Sequence, residues 1–349
     1  MLRSPHPRRR GALVLALVPA VATALLTACS PQEETGPRTV EAGEVVVARQ
    51  LEVESTGRTP FLVVPTGRLE VRAGEPTAQV EGDATRAREA VVAPEGSVLV
   101  PLTWRYLTDV LDAAASVFGA PQELGVTLVA EGERYPLVPP AEDRSASDED
   151  EFYVAVAGDG QDLELELAYA GVTQTLDLRT GERESGVAQG LYPLQGFEVR
   201  TRECPDRDWA PDDAPLGQLY FYCTVTNPLV TPFRQGAWAE EGTSFAVVGV
   251  TSTLEGYLLP GADGLSSATY AVASSRSTTR LGGERPLEVD TAERGPATVT
   301  DFLTFEVRGR VPGQISVGRR IELTRELARG VIDAPDTLSV EARGDVALP

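Results

Sequence analysis

Two cysteines, Cys204 and Cys223, enclose a cluster of carboxylates: Asp206, Asp208, Asp212 and Asp213 in the run ECPDRDWAPDD. Oxygen-only clusters on a loop suit calcium, which takes several carboxylates or carbonyls. The EF-hand spacing is absent there, as it is at Asp159 and Asp162, so a solvated acidic loop with no metal or cofactor is the expected reading. Carboxylates alone can also hydrolyse a glycosidic bond when they face each other across opposing strands. With 52 acidic residues, nothing in the sequence marks one such pair over another. Other chemistries are short of side chains. The chain has a single histidine, His6, and no lysine, so every positive side chain is an arginine. Schiff bases, a phosphate-loop lysine and a Ser-Lys dyad are excluded.

The first thirty residues describe export and not a fold. Arg3, Arg8, Arg9 and Arg10 form a basic end, and Gly11 to Leu26 form an apolar core too short and wrongly flanked to span a bilayer. Leu26, Thr27, Ala28 and Cys29 follow. This run resembles a bacterial lipoprotein signal peptide and matches its lipobox residue by residue. The resemblance implies that Cys29 becomes the first mature residue and carries lipid, palmitate-type chains, on its thiol and amine. An ordinary secretory signal with Cys29 merely following the site is the other reading. Cleavage before Cys29 discards His6, which leaves no imidazole and removes Ser-His-Asp catalysis, histidine proton shuttling and nearly all zinc chemistry. The polar stretch Ser30 to Gly43 reads as a flexible tether over 29–43. Acyl chains hold a protein to a membrane at about 0.8 kcal/mol per buried methylene without any spanning helix.

The formal net charge is −21, and loss of the four N-terminal arginines makes the mature chain more acidic still. Nucleic acid is not an expected partner, since a polyanion demands clustered cations. In an oxidising compartment Cys204 and Cys223 are expected to pair. Closing a loop of about 20 residues removes roughly 3 kcal/mol of denatured-chain entropy in the loop model. No C-x-x-C spacing supports a redox role.

From Glu44 onward strand signals dominate: Val45 to Val53, Phe61 to Val64, Val98 to Tyr106, Val126 to Ala130, Phe152 to Val156, Leu163 to Tyr169 and Thr173 to Leu178. LELEL from Leu163 alternates strictly, so one face is buried and one wet. Only Thr108 to Phe118 reads as a short helix, capped by Thr108 or Asp109, with Val110, Leu111, Ala114 and Val117 or Phe118 inward. Asp143 to Glu151 reads as a solvated charged loop. Thr180 to Gly190 carries no strand or helix period and marks a boundary. After it, GQLYFYCTVTNPL from Gly217 can be laid over GSVLVPLTWRYLT from Gly96, with a Val-rich strand and a late hairpin following in both copies. Phe221, Cys223 and Val225, with Leu219, form the row expected to be buried. The expected organisation is therefore a signal peptide (1–28), a tether (29–43), a first β-sandwich (44–180), a linker (181–190) and a second β-sandwich (191–349).

YFYCTVTN from Tyr220 to Asn227, followed by TPF from Thr231 to Phe233, resembles the telokin-like, immunoglobulin-like sandwich domains of bacterial surface lipoproteins. The resemblance implies a mainly β chain of two tandem antiparallel immunoglobulin-like sandwiches, in which this segment is a core strand running into a loop. Trp104 sits within a strand and is expected in the core, whereas Trp209 and Trp238 lie near Pro and Gly and are candidate ligand contacts. The expected function is a non-catalytic, lipid-anchored binding or scaffolding module on the outer face of a bacterial cytoplasmic membrane, with an envelope protein or glycan as partner. The alternative is a carboxylate-dependent glycan hydrolase or a calcium-dependent adhesin of the cell wall.

Overall fold

The computed structural model describes residues 36–51, 53, 59–140, 149–204, 218–295 and 298–348. The described chain is mainly β, built of several open sheets, with no helix long and apolar enough to cross a membrane. In the first half the strands are β1 (Arg38–Thr39), β2 (Val45–Val47), β3 (Phe61–Val64), β4 (Gly67–Ala73), β5 (Gln79–Val80), β6 (Val91–Val92), β7 (Ser97–Leu107), β8 (Leu124–Ala130), β9 (Glu133–Leu137), β10 (Asp150–Ala157), β11 (Leu163–Tyr169), β12 (Val172–Asp177) and β13 (Arg183–Glu184). In the second half they are β14 (Thr201–Glu203), β15 (Gln218–Thr226), β16 (Leu229–Thr231), β17 (Phe233–Arg234), β18 (Ala237–Trp238), β19 (Thr243–Pro260), β20 (Ser267–Ser277), β21 (Arg280–Leu281), β22 (Glu288–Arg294), β23 (Thr298–Arg308), β24 (Gln314–Arg329) and β25 (Thr337–Ala347).

Two sheets of the first half, β2-β10-β7-β4-β3 and β13-β12-β11-β8-β9, bury their inner faces against each other. Leu165 and Leu167 of β11 meet Val100, Leu102 and Trp104 of β7 in one apolar cluster, while Glu164 and Glu166 turn out of it. The unbroken apolar run in β7 has a different cause from the alternation in β11. Its odd positions are also covered: Leu99, with Tyr153 and Ala155 of β10 and Val46 of β2, packs against Val40, Val80 and Val91 at the small sheet β1-β6-β5. A strand buried on both faces reads as continuous hydrophobics. The last residues of the expected tether therefore belong to the fold, since β1 pairs in parallel with β6 and Val40 is buried. Trp104 lies in the core as expected, its ring edge-on to Phe152 at 4.7 Å and its indole N–H donating to Asp150 at 3.0 Å.

Apart from the β17–β18 hairpin, the described strands of the second half form one continuous ten-stranded sheet folded over on itself. Along its first part β19 pairs with β15, β16 and β23, and β23 carries β22. At its far end, Tyr257 to Pro260 take β20 in the place of β23 while Tyr257 and Leu258 still pair with β15, and β20 leads on to β24, β25 and β21. Gly256, at φ +149°, sits where β19 leaves one layer for the other and where its register with β15 shifts. The enclosed core holds Phe221, Cys223 and Val225 of β15, as the sequence pattern expects, with Leu303 and Phe305 of β23 and Ile321 and Leu323 of β24.

Three departures from the sequence reading have clear causes. Asp109–Ala114 is a 3-10 helix and Ala115–Phe118 a short α-helix, because Leu111 leaves helical angles (φ −123°, ψ 19°); neither Thr108 nor Asp109 supplies a side-chain cap. The boundary stretch runs into another 3-10 helix, Gly186–Leu194, that buries Ala188, Leu191 and Leu194 in the first core. The overlaid segments also keep different company. β7 pairs with β10 and β4, and GVTLVAEG lies in the opposite sheet as β8, whereas β15 pairs directly with β19, the counterpart of β8.

Candidate functional site

The segment after Asn227, NPLVTPFRQGAW, is where the two halves meet. Phe233 is fully buried in the core of the first half, edge-on to Tyr169 at 5.6 Å, to Phe118 at 6.1 Å and to Trp238 at 4.8 Å. Thr231 fixes the turn that delivers it, its hydroxyl accepting from the Phe233 N–H at 3.1 Å and donating to the Phe233 carbonyl at 3.0 Å. The end of the short α-helix closes onto the same hairpin. Its orphan carbonyls at Val117 and Phe118 accept from the N–H groups of Gln235 and Gly236 at 3.0 and 2.9 Å, which replaces a C-cap. Gly119 must be glycine here: at φ +80°, an added Cβ would stand 2.9 Å from the Gln235 backbone.

Beside this joint lies a groove with a volume of about 300 Å³, within the range of small-ligand sites. Val117, Phe197 and Val199 form one wall, and Phe302, Val247 and Leu229 form the floor. Two of these apolar side chains face solvent, Val199 at 59% exposure and Phe302 at 43%. Gly249 makes room for the floor, since a Cβ there would come within 3.3 Å of the Phe302 ring and 3.0 Å of Thr226. Asn227 holds the wall in place: its amide oxygen accepts from Arg200 N–H at 2.7 Å and its amide nitrogen donates to the Glu198 carbonyl at 3.0 Å. At the charged end Arg234 is hydrogen-bonded to Glu288 and lies 3.8 Å from Asp290. The Arg234 guanidinium holds the Glu288 carboxyl below the ordinary glutamate value. The arrangement offers an apolar floor, amide and hydroxyl donors and a net acidic end.

The sequence candidates fall in different places. Trp238 is part of the joint, half-buried, with its indole N–H donating to the Tyr169 carbonyl at 3.1 Å. Cys204 and Cys223 are disulfide-bonded at a Cα separation of 5.3 Å, and the Cys204 N–H donates to the Cys223 carbonyl at 2.9 Å, continuing the β14–β15 ladder. Asp159 accepts from the Gln161 N–H at 2.9 Å in an Asx turn. Cys29, Trp209, Asp206, Asp208, Asp212 and Asp213 lie outside the described residues. Among the described residues no group of three or more His, Cys, Asp or Glu is placed to hold a metal. Sequence reading missed Phe302, Val199 and Arg234. The available signal was in TDFLTFEV, where an aromatic occupies the face opposite the buried Leu303 and Phe305. No protein-family model, no curated protein and no solved structure matches this chain.

Proposed function

We propose that the mature chain is a lipid-anchored, non-catalytic binding or scaffolding protein on the outer face of a bacterial cytoplasmic membrane, tethered through Cys29. In this reading the telokin-like, immunoglobulin-like character belongs to its role as a rigid presenter: two β units, each with its own apolar core, joined through Phe233. The observation that carries the binding role is the groove at that joint, whose exposed Phe302 and Val199 stand beside hydrogen-bonding Asn227 and the Arg234–Glu288–Asp290 group. Exposed apolar side chains rimmed by polar groups mark recognition surfaces. The partner is an envelope protein or a glycan, and the acidic end of the groove favours a neutral or basic one.

The test uses the full chain in growing bacteria. An alkyne fatty acid should label the wild type and not Cys29→Ala, which should leave the membrane fraction. A photo-crosslinker at Val199 should give a discrete adduct that Phe302→Glu removes. Absence of acylation on Cys29 would end the anchoring half of the proposal, and an adduct indifferent to Phe302 would end the groove half.

A further inference from the structure

The second β unit contains another cavity, of about 180 Å³, between its two layers, which shares no lining residue with the groove. Phe221, Leu254 and Ile321 form its apolar wall, and Arg319, Ser252 and Arg294 its polar side. Among the described residues, Arg319 and Asp301 are the charged side chains that are buried. The Arg319 side chain is 5% exposed, and its Nη2 donates to Asp301 at 2.5 Å, where the partner side chain is 3% exposed. The other Asp301 oxygen accepts from the Thr291 hydroxyl at 2.9 Å. A buried ion pair is a poor way to fill a core, because desolvation offsets most of its attraction and an apolar pair of similar volume does as well or better. This pair stands beside an opening, and Arg319 lines that opening as well as meeting Asp301. A guanidinium has five N–H donors, more than one carboxylate oxygen can take.

The backbone around the cavity is irregular in a concerted way. Register shifts occur in β15 between Tyr220 and Phe221, in β20 between Val272 and Ser274, and in β22 between Thr291 and Glu293. Phe221, Val272 and Ser274, which flank the first two shifts, and Arg294, one residue beyond the third, all line the cavity. Bulges spread strands and re-aim side chains, and they gather beside sites. Electrostatics sets the ligand class. In a chain of net charge −21, the cavity lining holds two arginines and, among the described residues, no carboxylate. An engineered apolar cavity of about 150 Å³ accepts benzene, so the space fits a group of that bulk with a charged head.

We infer that this cavity binds a small monocarboxylate with a short apolar tail, its oxygens directed to Arg319 and Arg294 and its tail against Phe221, Leu254 and Ile321. The inference stands apart from the groove and from the anchor. Calorimetric titration of the full chain in detergent, with hexanoate, hexanol and hexylamine as probes, tests it. Hexanoate should bind saturably at one site and about tenfold or more tighter than hexanol, with hexylamine weaker still, as charge-assisted hydrogen bonds require. Arg294→Glu, an exposed position, should weaken hexanoate by about tenfold or more for the same reason. The paired change Asp301→Leu with Arg319→Met replaces the ion pair by apolar volume and should erase the preference for acid over alcohol. Non-saturable hexanoate binding, equal affinity for hexanol, or a preference that survives both Arg294→Glu and the paired change would overturn the inference. If the paired variant does not fold, the Arg294→Glu titration decides alone.

Discussion

Asp301 and Arg319 sit 2.5 Å apart on β23 and β24, strands that follow one another in the chain but share no ladder. The pair therefore spans the interior of the second half instead of decorating a sheet. Removing one partner leaves the other as an uncompensated buried charge, so Asp301→Leu alone should cost about 3–5 kcal/mol. The paired change with Arg319→Met should return to within about 1.5 kcal/mol of wild type or exceed it, as volume-conserving apolar replacements do. Urea denaturation of the two variants checks this; a paired variant as unstable as the single one would show that the bond, and not the orphaned charge, carries the stability.

The disulfide closes a sequence separation of 19 residues between β14 and β15. Its effect acts chiefly on the denatured chain, and the loop model assigns it roughly 3 kcal/mol. Cys204→Ser with Cys223→Ser should lower unfolding free energy by about that amount, and dithiothreitol should lower the wild type to the same level. A reductant that leaves the wild-type midpoint unmoved would contradict the pairing.

Phe233 and Trp238 face each other across the β17–β18 hairpin and tie the second half to Tyr169 of β11. Phe233→Ala should cost about 3–5 kcal/mol as a buried aromatic truncation. Trp238→Phe keeps a ring but loses the hydrogen bond to the Tyr169 carbonyl, and should cost about 0.5–1.5 kcal/mol. Differential hydrogen exchange should place the Phe233→Ala effect at both the Ala115–Phe118 helix and β17. Loss of protection confined to the second half would mean that Phe233 does not couple the two.

Local patterns were legible where one physical cause acted alone. Phe61–Val64 and Leu163–Tyr169 form strands with the expected bounds, because their patterns end at turn residues. Val45 to Val53 did not persist as a strand: it ends at Val47, after which Ala48 makes an isolated bridge to Thr85 and donates to the Glu151 carbonyl at 2.8 Å. The boundary stretch was misread for want of the right period. Ala188, Leu191 and Leu194 recur every third residue, the spacing of a 3-10 helix, which neither a 2.0 nor a 3.6 repeat reveals. That helix is held by a chain of polar bonds that runs from a local pair to distant strands: Ser185 donates to the Tyr192 hydroxyl at 3.1 Å, Tyr192 to Gln174 at 2.9 Å, and Gln174 to the Val63 carbonyl at 2.7 Å. The groove was likewise hidden, since Val199 and Phe302 become neighbours only through pairing between distant strands.

Glu341 of β25 gives the acid limb of stability a specific origin. One of its oxygens accepts from Arg320 at 3.0 Å and the other from Arg343 at 2.6 Å. The Arg320 hydrogen bond, with the charge of Arg343, lowers its carboxyl below the ordinary glutamate value. A lowered native value means that the unfolded chain binds the proton first as pH falls, so the stabilisation is complete above the unfolded value of about 4.3 and is lost below it. Both arginines are substantially solvated, at 43% and 52% side-chain exposure, and screening limits the effect to about 0.5–1 kcal/mol. Glu341→Gln should therefore be less stable than wild type by about that amount at pH 7 and equal to it near pH 3, as followed by urea midpoints across pH. A gap that persisted undiminished at pH 3 would assign the loss to packing and not to the charge.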